Sequence, residues 1–224
     1  MNKLVKICGI RSVDLALAAA TAGADLIGLV FAPSRRRVTI AEAQAIAATI
    51  GALPPPRPLV VGLFVNEPAA QVAEITAAVG LEAIQLSGDE PPDYPVPDGL
   101  PLIKSIRMTG AADEQAWLDR IAAAPRATGT VLPQVTALID AHLPGAYGGT
   151  GVQTDWNKAA HIARLVPTLL AGGLTPANVA QAIAVVNPLG VDVSSGVERD
   201  GQKDPALIQA FIAAVRTSLA ERSE

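Results

Sequence analysis

The chain has 224 residues, half of them hydrophobic and 17% charged, which is enough for a large core in one barrel-sized domain or two small ones. Its formal net charge of −4 speaks against a nucleic-acid partner, and a single cysteine excludes an internal disulfide and fits a reducing cytosol. The first residues lack the basic, apolar and small-residue pattern of a signal peptide, and Gly, Pro or charge interrupts every apolar run before membrane-spanning length, so no membrane partner is expected.

Leu4 to Cys8 reads as a first strand, and Gly9 lets the chain turn sharply outwards after it. Ser12 is placed to cap a helix from Val13 to Ala22, which has apolar residues at helical spacing and ends at Gly23. Leu26 to Phe31 is a continuous apolar run, the pattern of a strand buried on both faces. After the Pro33 to Arg37 loop, Thr39 caps a helix from Ala41 to Ile50. Pro54-Pro55-Pro56 breaks the chain before a third strand, Leu59 to Phe64, but the pattern resumes unchanged and marks no domain boundary. Asn66 and Pro68 open a helix that runs to Val79 and closes at Gly80. Ala83 to Leu86 is a short fourth strand, followed by the loop Ser87-Gly88-Asp89-Glu90. Pro95 and Pro97 then allow only a short or degenerate helix.

Leu102 to Ile106 is a fifth strand and Ala111 to Ala123 a helix. Gln134 to Asp140 reads as a sixth strand ending on an acid, and a glycine-rich loop, Gly145 to Gly151, leads to a helix from about Asp155 to Leu165. Thr168 to Ala171 is the seventh strand, with Thr175 as cap and Pro176 as first residue of the next helix. Gly190 to Ser194 is the eighth strand, and Pro205 to Ala220 the last helix. Eight strands alternating with helices over this length predict an α/β single-domain (β/α)8 TIM barrel spanning 1–224. The first strand lacks a following Gly-x-Gly-x-x-Gly, which weakens a dinucleotide-binding alternative.

In such a barrel the functional groups sit at the C-terminal ends of the strands and in the loops that follow. Those positions hold Cys8, the arginines 35–37, Ser87, Asp140, Gly172-Gly173 and Ser194-Ser195-Gly196. Most free cysteines are small buried hydrophobes; at a barrel rim Cys8 is also a candidate base. Asp140 either pairs with a nearby cation or faces Cys8 as a proton donor, since a desolvated carboxyl keeps its proton. An arginine run is usually a solvated patch, but at this rim it is also a carboxylate site. Gly172, Gly173, Ser195 and Gly196 follow the last two strands, the usual phosphate position, where glycine admits an anion close to backbone N–H groups. Gly148 to Gly151 is either a mobile connection or a loop closing over that end. If Cys8 points inwards so does Lys6, which then needs a buried partner; Asp192, on the strand that closure would set beside the first, is the obvious candidate, in a pair more simply structural than catalytic. His142 and His161 have no metal-ligand spacing, and no metal is expected.

Further segments carry a resemblance over almost the whole chain. They are Lys6 to Ile10 (KICGI), Gly62 to Asn66 (GLFVN), Gln85-Leu86 with Gly88-Asp89-Glu90, Gly148 to Gly151 with Asp155-Trp156, Ala171 to Pro176 (AGGLTP) and Val191 to Glu198 (VDVSSGVE). Together and in this order they resemble the phosphoribosylanthranilate isomerase family of tryptophan biosynthesis. The resemblance implies a cofactor-independent Amadori rearrangement of a small phosphosugar; a cytoplasmic location is expected from the cysteine usage, and the oligomeric state, monomer or homodimer, is left open. It assigns general acid to Asp140 and general base to Cys8. It assigns the substrate's carboxylate to Arg36 by the Ser-Pro-Arg pattern, or to Arg37 by ungapped comparison. Where the family commonly has Gln-Leu-His-Gly, this chain has Gln85-Leu86-Ser87-Gly88. Two alternatives stay open: a related ribose-phosphate isomerase of histidine biosynthesis, which would favour an aspartate at position 8, and a non-catalytic phosphate-ligand-binding barrel.

Overall fold

The computed structural model describes residues 3–97, 99–125, 131–140 and 155–220. Eight parallel strands close into a barrel in sequence order: β1 (Leu4–Cys8), β2 (Leu26–Val30), β3 (Leu59–Phe64), β4 (Ala83–Leu86), β5 (Leu102–Ile106), β6 (Val135–Ile139), β7 (Thr168–Leu170) and β8 (Gly190–Val193). Closure pairs β1 with β2, setting Cys8 opposite Gly28, and with β8, setting Lys6 opposite Asp192.

The two-residue period of a strand sorts the side chains. Leu26, Val61, Ala83, Ile103, Leu138 and Leu169 form one buried cluster inside the barrel. Their neighbours Ile27, Val60, Ile84, Leu102, Ile139 and Leu170 belong to the larger cluster under the helices. Each such side chain removed from water contributes about 1.5–3 kcal/mol, so a slip of one residue would exchange the two layers at large cost. The same alternation points Lys6, Cys8, Gln85, Ser87, Asp140 and Asp192 inwards.

The helices are α1 (Val13–Ala22), α2 (Ile40–Gly51), α3 (Ala69–Val79), α4 (Ala112–Ala123), α5 (Trp156–Leu165), α6 (Val179–Val186) and α7 (Pro205–Ala220). Ser12 accepts the Leu15 N–H, and Thr39 and Glu42 form a reciprocal capping box. Gly23 ends α1 with φ +93°, a conformation that a side chain would strain. Asp155 caps α5 through the Asn157 and Lys158 N–H groups. No described helix is long and apolar enough to cross a membrane.

Two expected boundaries are corrected, the degenerate β4–β5 connection is specified, and one unexpected element is added. α6 begins at Val179, not at Pro176, because the Asn178 side chain takes up the preceding turn, accepting the Thr175 N–H at 2.8 Å and donating to the Gly173 carbonyl at 2.9 Å. Among the described residues no helix joins β4 to β5, where prolines remove the donors a helix needs. β6 ends at Ile139, so Asp140 stands just beyond the strand. A small hairpin, β9 (Glu198–Arg199) with β10 (Gln202–Lys203), follows β8 and was not expected; Asp200 and Gly201 at φ +51° and +77° supply its tight turn. The expected loop over Gly148 to Gly151, and His142, lie outside the described residues.

Candidate active site

Cys8 ends β1 with 5% of its surface exposed, and its thiol stands beside the Lys6 ammonium. The neighbouring strand makes this possible: a Cβ on Gly28 would lie 3.0 Å from Cys8 Sγ and 3.1 Å from Lys6 Nζ. Lys6 Nζ donates to Asp192 Oδ1 at 2.9 Å, so the predicted pair forms, with Lys6 wholly buried. Burial disfavours the Lys6 charge, yet Asp192 and the thiol hold its pKa above the ordinary lysine value. For Cys8 the balance falls the other way. Burial pushes the thiol up, Lys6 and Lys203 pull it down, Asp192 adds to the rise, and the net displacement is upwards.

Cys8 opens onto a cavity of about 340 Å³ at the C-terminal end of the barrel. Asp140 lines the same cavity from the end of β6, as do Arg36, Gln85, Ser87, Asp192 and Ser194. Cys8 and Asp140 therefore meet on one surface, from strands on different sides of the ring. Ser87 stands where a histidine is common in the similar family. It accepts a hydrogen bond from Gln85 Nε2 at 2.9 Å and shares another with Ser105 Oγ at 2.9 Å. Gln85 Oε1 is buried with no partner among the described residues, which leaves an acceptor in the cavity lining.

Of the two arginines left open, Arg36 lines this cavity, whereas Arg37 lies in a separate groove between α2 and α3. Arg36 binds Glu198 side-on, Nε to Oε1 at 2.7 Å and Nη2 to Oε2 at 3.1 Å. Lys203 Nζ reaches the same carboxylate at 3.0 Å, and Arg35 joins from the solvent side. Burial opposes the Glu198 charge, but Arg36 and Lys203 outweigh it and bring its pKa down to about 2. Lys203 also donates to the Ser194 carbonyl at 2.7 Å, and Ser194 Oγ to the Cys8 carbonyl at 3.2 Å, so the β9–β10 hairpin is tied to the end of β1.

Gly172, Gly173, Ser195 and Gly196 are not part of the cavity lining, but they follow β7 and β8 at the same end of the barrel. Gly172 and Gly173 take φ +82° and +66°. A Cβ on Gly196 would collide with the Leu174 carbonyl oxygen, so the two loops touch only because position 196 has no side chain. The N–H groups of Gly173, Ser195 and Gly196 have no acceptor among the described residues.

Part of the motif set has an architectural role. Glu90 accepts the Asn66 and Gly88 N–H groups and pairs with buried Lys104 at 2.6 Å, while its carbonyl takes the Trp117 indole N–H. GLFVN and the Gly88-Asp89-Glu90 turn thus lock β3, β4, β5 and α4 together. The described residues contain no group of three or more His, Cys, Asp or Glu side chains able to hold a metal. Glu198 and Gln85 stand in motifs that by themselves give them no role, whereas Lys203 and Ser105 lie outside every motif. The Arg36 partner of Glu198 lies 162 positions away and leaves no local signal.

The family model for N-(5'phosphoribosyl)anthranilate (PRA) isomerase matches residues 5–214. An N-(5'-phosphoribosyl)anthranilate isomerase from Roseiflexus sp. (strain RS-1) is 50% identical over 219 residues, 96% of this chain and 98% of that protein. The solved phosphoribosyl anthranilate isomerase from Thermotoga maritima matches with TM-score 0.79 at 33% identity, over 97% of this chain and 100% of its own. A phosphoribosyl anthranilate isomerase solved in complex with reduced 1-(o-carboxyphenylamino)-1-deoxyribulose 5-phosphate matches with TM-score 0.76 at 32% identity, again over 97% and 100%.

Proposed function

The chain belongs to the N-(5'-phosphoribosyl)anthranilate isomerase family, and from that premise we propose that Asp140 and Cys8 supply the acid and the base of its reaction. The enzyme converts N-(5-phosphoribosyl)anthranilate to 1-(2-carboxyphenylamino)-1-deoxy-D-ribulose 5-phosphate in tryptophan biosynthesis, an aldose–ketose isomerisation. The observation that carries the assignment is the shared cavity: Cys8 from β1 and Asp140 from β6 line one space at the strand ends.

The Asp140 carboxyl gives its proton to the ribose ring oxygen. The C1–O bond breaks, and the nitrogen lone pair closes a C1=N bond to give a cationic Schiff base. The Cys8 thiolate then takes the proton from C2, the electron pair becomes the C1=C2 bond, and the cation is discharged as an enolamine that tautomerises to the ketone. Burial holds the free thiol above its ordinary value. The positive Schiff base offsets this, because a cation arriving beside the thiol favours the thiolate and acidifies C2 at once. The substrate carboxylate rests on Arg36, and the phosphate on the loop N–H groups around Gly172, Gly173, Ser195 and Gly196. The reaction takes place in the cytosol, on a monomer or homodimer, without a cofactor.

Loss of phosphoribosylanthranilate fluorescence on adding the protein tests the function. No loss would leave the non-catalytic barrel, and turnover of the histidine-pathway aminoaldose instead would favour the related isomerase.

A further inference from the structure

We infer that Glu198 is a positioning residue for substrate recognition: it holds the Arg36 guanidinium by one edge so that the other edge is presented to the substrate's aromatic carboxylate. The inference rests on the reading of Arg36 as the carboxylate site and assigns the cause of its orientation.

The geometry is specific. Glu198 engages Nε and Nη2, the side edge of the fork, at 2.7 and 3.1 Å. The remaining donors, Nη1 among them, have no acceptor among the described residues, and the side chain lines the cavity. A guanidinium can hold two carboxylates at once, one on each edge, because its five N–H groups lie in one plane. The stem is guided as well. Arg36 lies over Gly9, where a Cβ would come within 2.6 Å of Arg36 Cδ, so the glycine of KICGI leaves the track along which the arginine runs.

The surroundings explain why a carboxylate works here as a clamp. The Glu198 side chain is only 5% exposed, and it is shared by Arg36, Arg35 and Lys203. One negative charge among three cations leaves this cluster positive. An incoming carboxylate therefore meets attraction without having to displace Glu198. The anchor is rigid in turn, because the first hairpin strand carries Glu198, and Lys203 of the second bonds both Glu198 and Ser194.

The test compares two ligands on the whole protein: reduced 1-(o-carboxyphenylamino)-1-deoxyribulose 5-phosphate, and the same molecule with a plain phenyl ring. Dissociation constants are measured for the native protein, Arg36→Met, Glu198→Gln and Glu198→Asp. The native protein prefers the carboxylated ligand, and Arg36→Met abolishes the preference. Glu198→Gln lowers the preference about tenfold, the size of one charge-assisted hydrogen bond broken by misorientation, and raises KM similarly with kcat within about threefold. Glu198→Asp keeps the charge that Arg35 and Lys203 require but withdraws it from Arg36, and lowers the preference in the same direction; it decides the matter if the glutamine variant does not fold. Full preference in folded Glu198 variants, with Arg36→Met still defective, overturns the positioning role alone. A preference that survives Arg36→Met overturns the carboxylate site itself.

Discussion

Lys6 Nζ lies 2.9 Å from Asp192 Oδ1 inside the barrel, where the first strand closes against the last. A buried ion pair is weak evidence of stability, since desolvation offsets much of the attraction, but breaking it leaves one charge stranded. This pair also sits beside the only cysteine, so it is part of the thiol's electrostatics as well as of the seam.

Lys6→Met should therefore destabilise by about 3–5 kcal/mol, while Lys6→Met with Asp192→Asn should recover most of that loss. Urea midpoints measure both. In the native protein the thiol titrates above its ordinary value, so alkylation by iodoacetamide should accelerate only as pH rises past that range. The double variant removes one cation that lowers the thiol pKa and one anion that raises it. Lys6 has the larger effect on the thiol, so the profile should move to still higher pH. An unmoved profile would separate the pair from the chemistry.

Cys8→Ala and Asp140→Asn should each reduce kcat by about 10²-fold or more, the ordinary contribution of a positioned acid or base. Stopped-time fluorescence of substrate consumption measures this, and near-native turnover in either variant refutes the role of that residue.

Acid should loosen the rim through Glu198. Its carboxylate has an ordinary value of 4.5 and a folded value of about 2, so its contribution to stability is fully present above the ordinary value. As pH falls through that window the unfolded state takes up the proton first, and the contribution disappears by about pH 2. Urea midpoints of the native protein should fall over this range more steeply than those of Glu198→Gln. Parallel curves would show that Arg36 and Lys203 do not depress this carboxyl.

Gly196→Ala should act on phosphate recognition, because the added methyl meets the backbone of the loop after β7 and must push it aside. KM should rise and inhibition by inorganic phosphate should weaken, with Cys8 alkylation unchanged. Unaltered phosphate inhibition in a folded variant would move the phosphate elsewhere.

Legibility followed the range of the interactions. Ser12, Gly23 and Thr39 act within a turn of themselves, and their caps were readable directly. The Asn178 turn was not, because Thr175 and Pro176 offered a start that is equally good locally, and a side chain bonding two backbone groups overrode it. Arg36 and Arg37 are indistinguishable as a string, and only the path of the loop over Gly9 sends one of them to the cavity. Ser87 was visible as a departure, while its bonds to Gln85 and Ser105 required the fourth and fifth strands side by side.

Hydrophobic periodicity, caps and turn residues are local properties, and by themselves they determined the eightfold alternation, the barrel and the rim positions of Cys8 and Asp140. Which of those rim groups share a space, and what charge surrounds each, depends on strands far apart in sequence meeting at closure. Lys6 beside Cys8 and Asp192, and Glu198 beside Arg36, are juxtapositions that bring opposite ends of the chain together. Their electrostatics depend on burial, and burial exists only once the ring has closed.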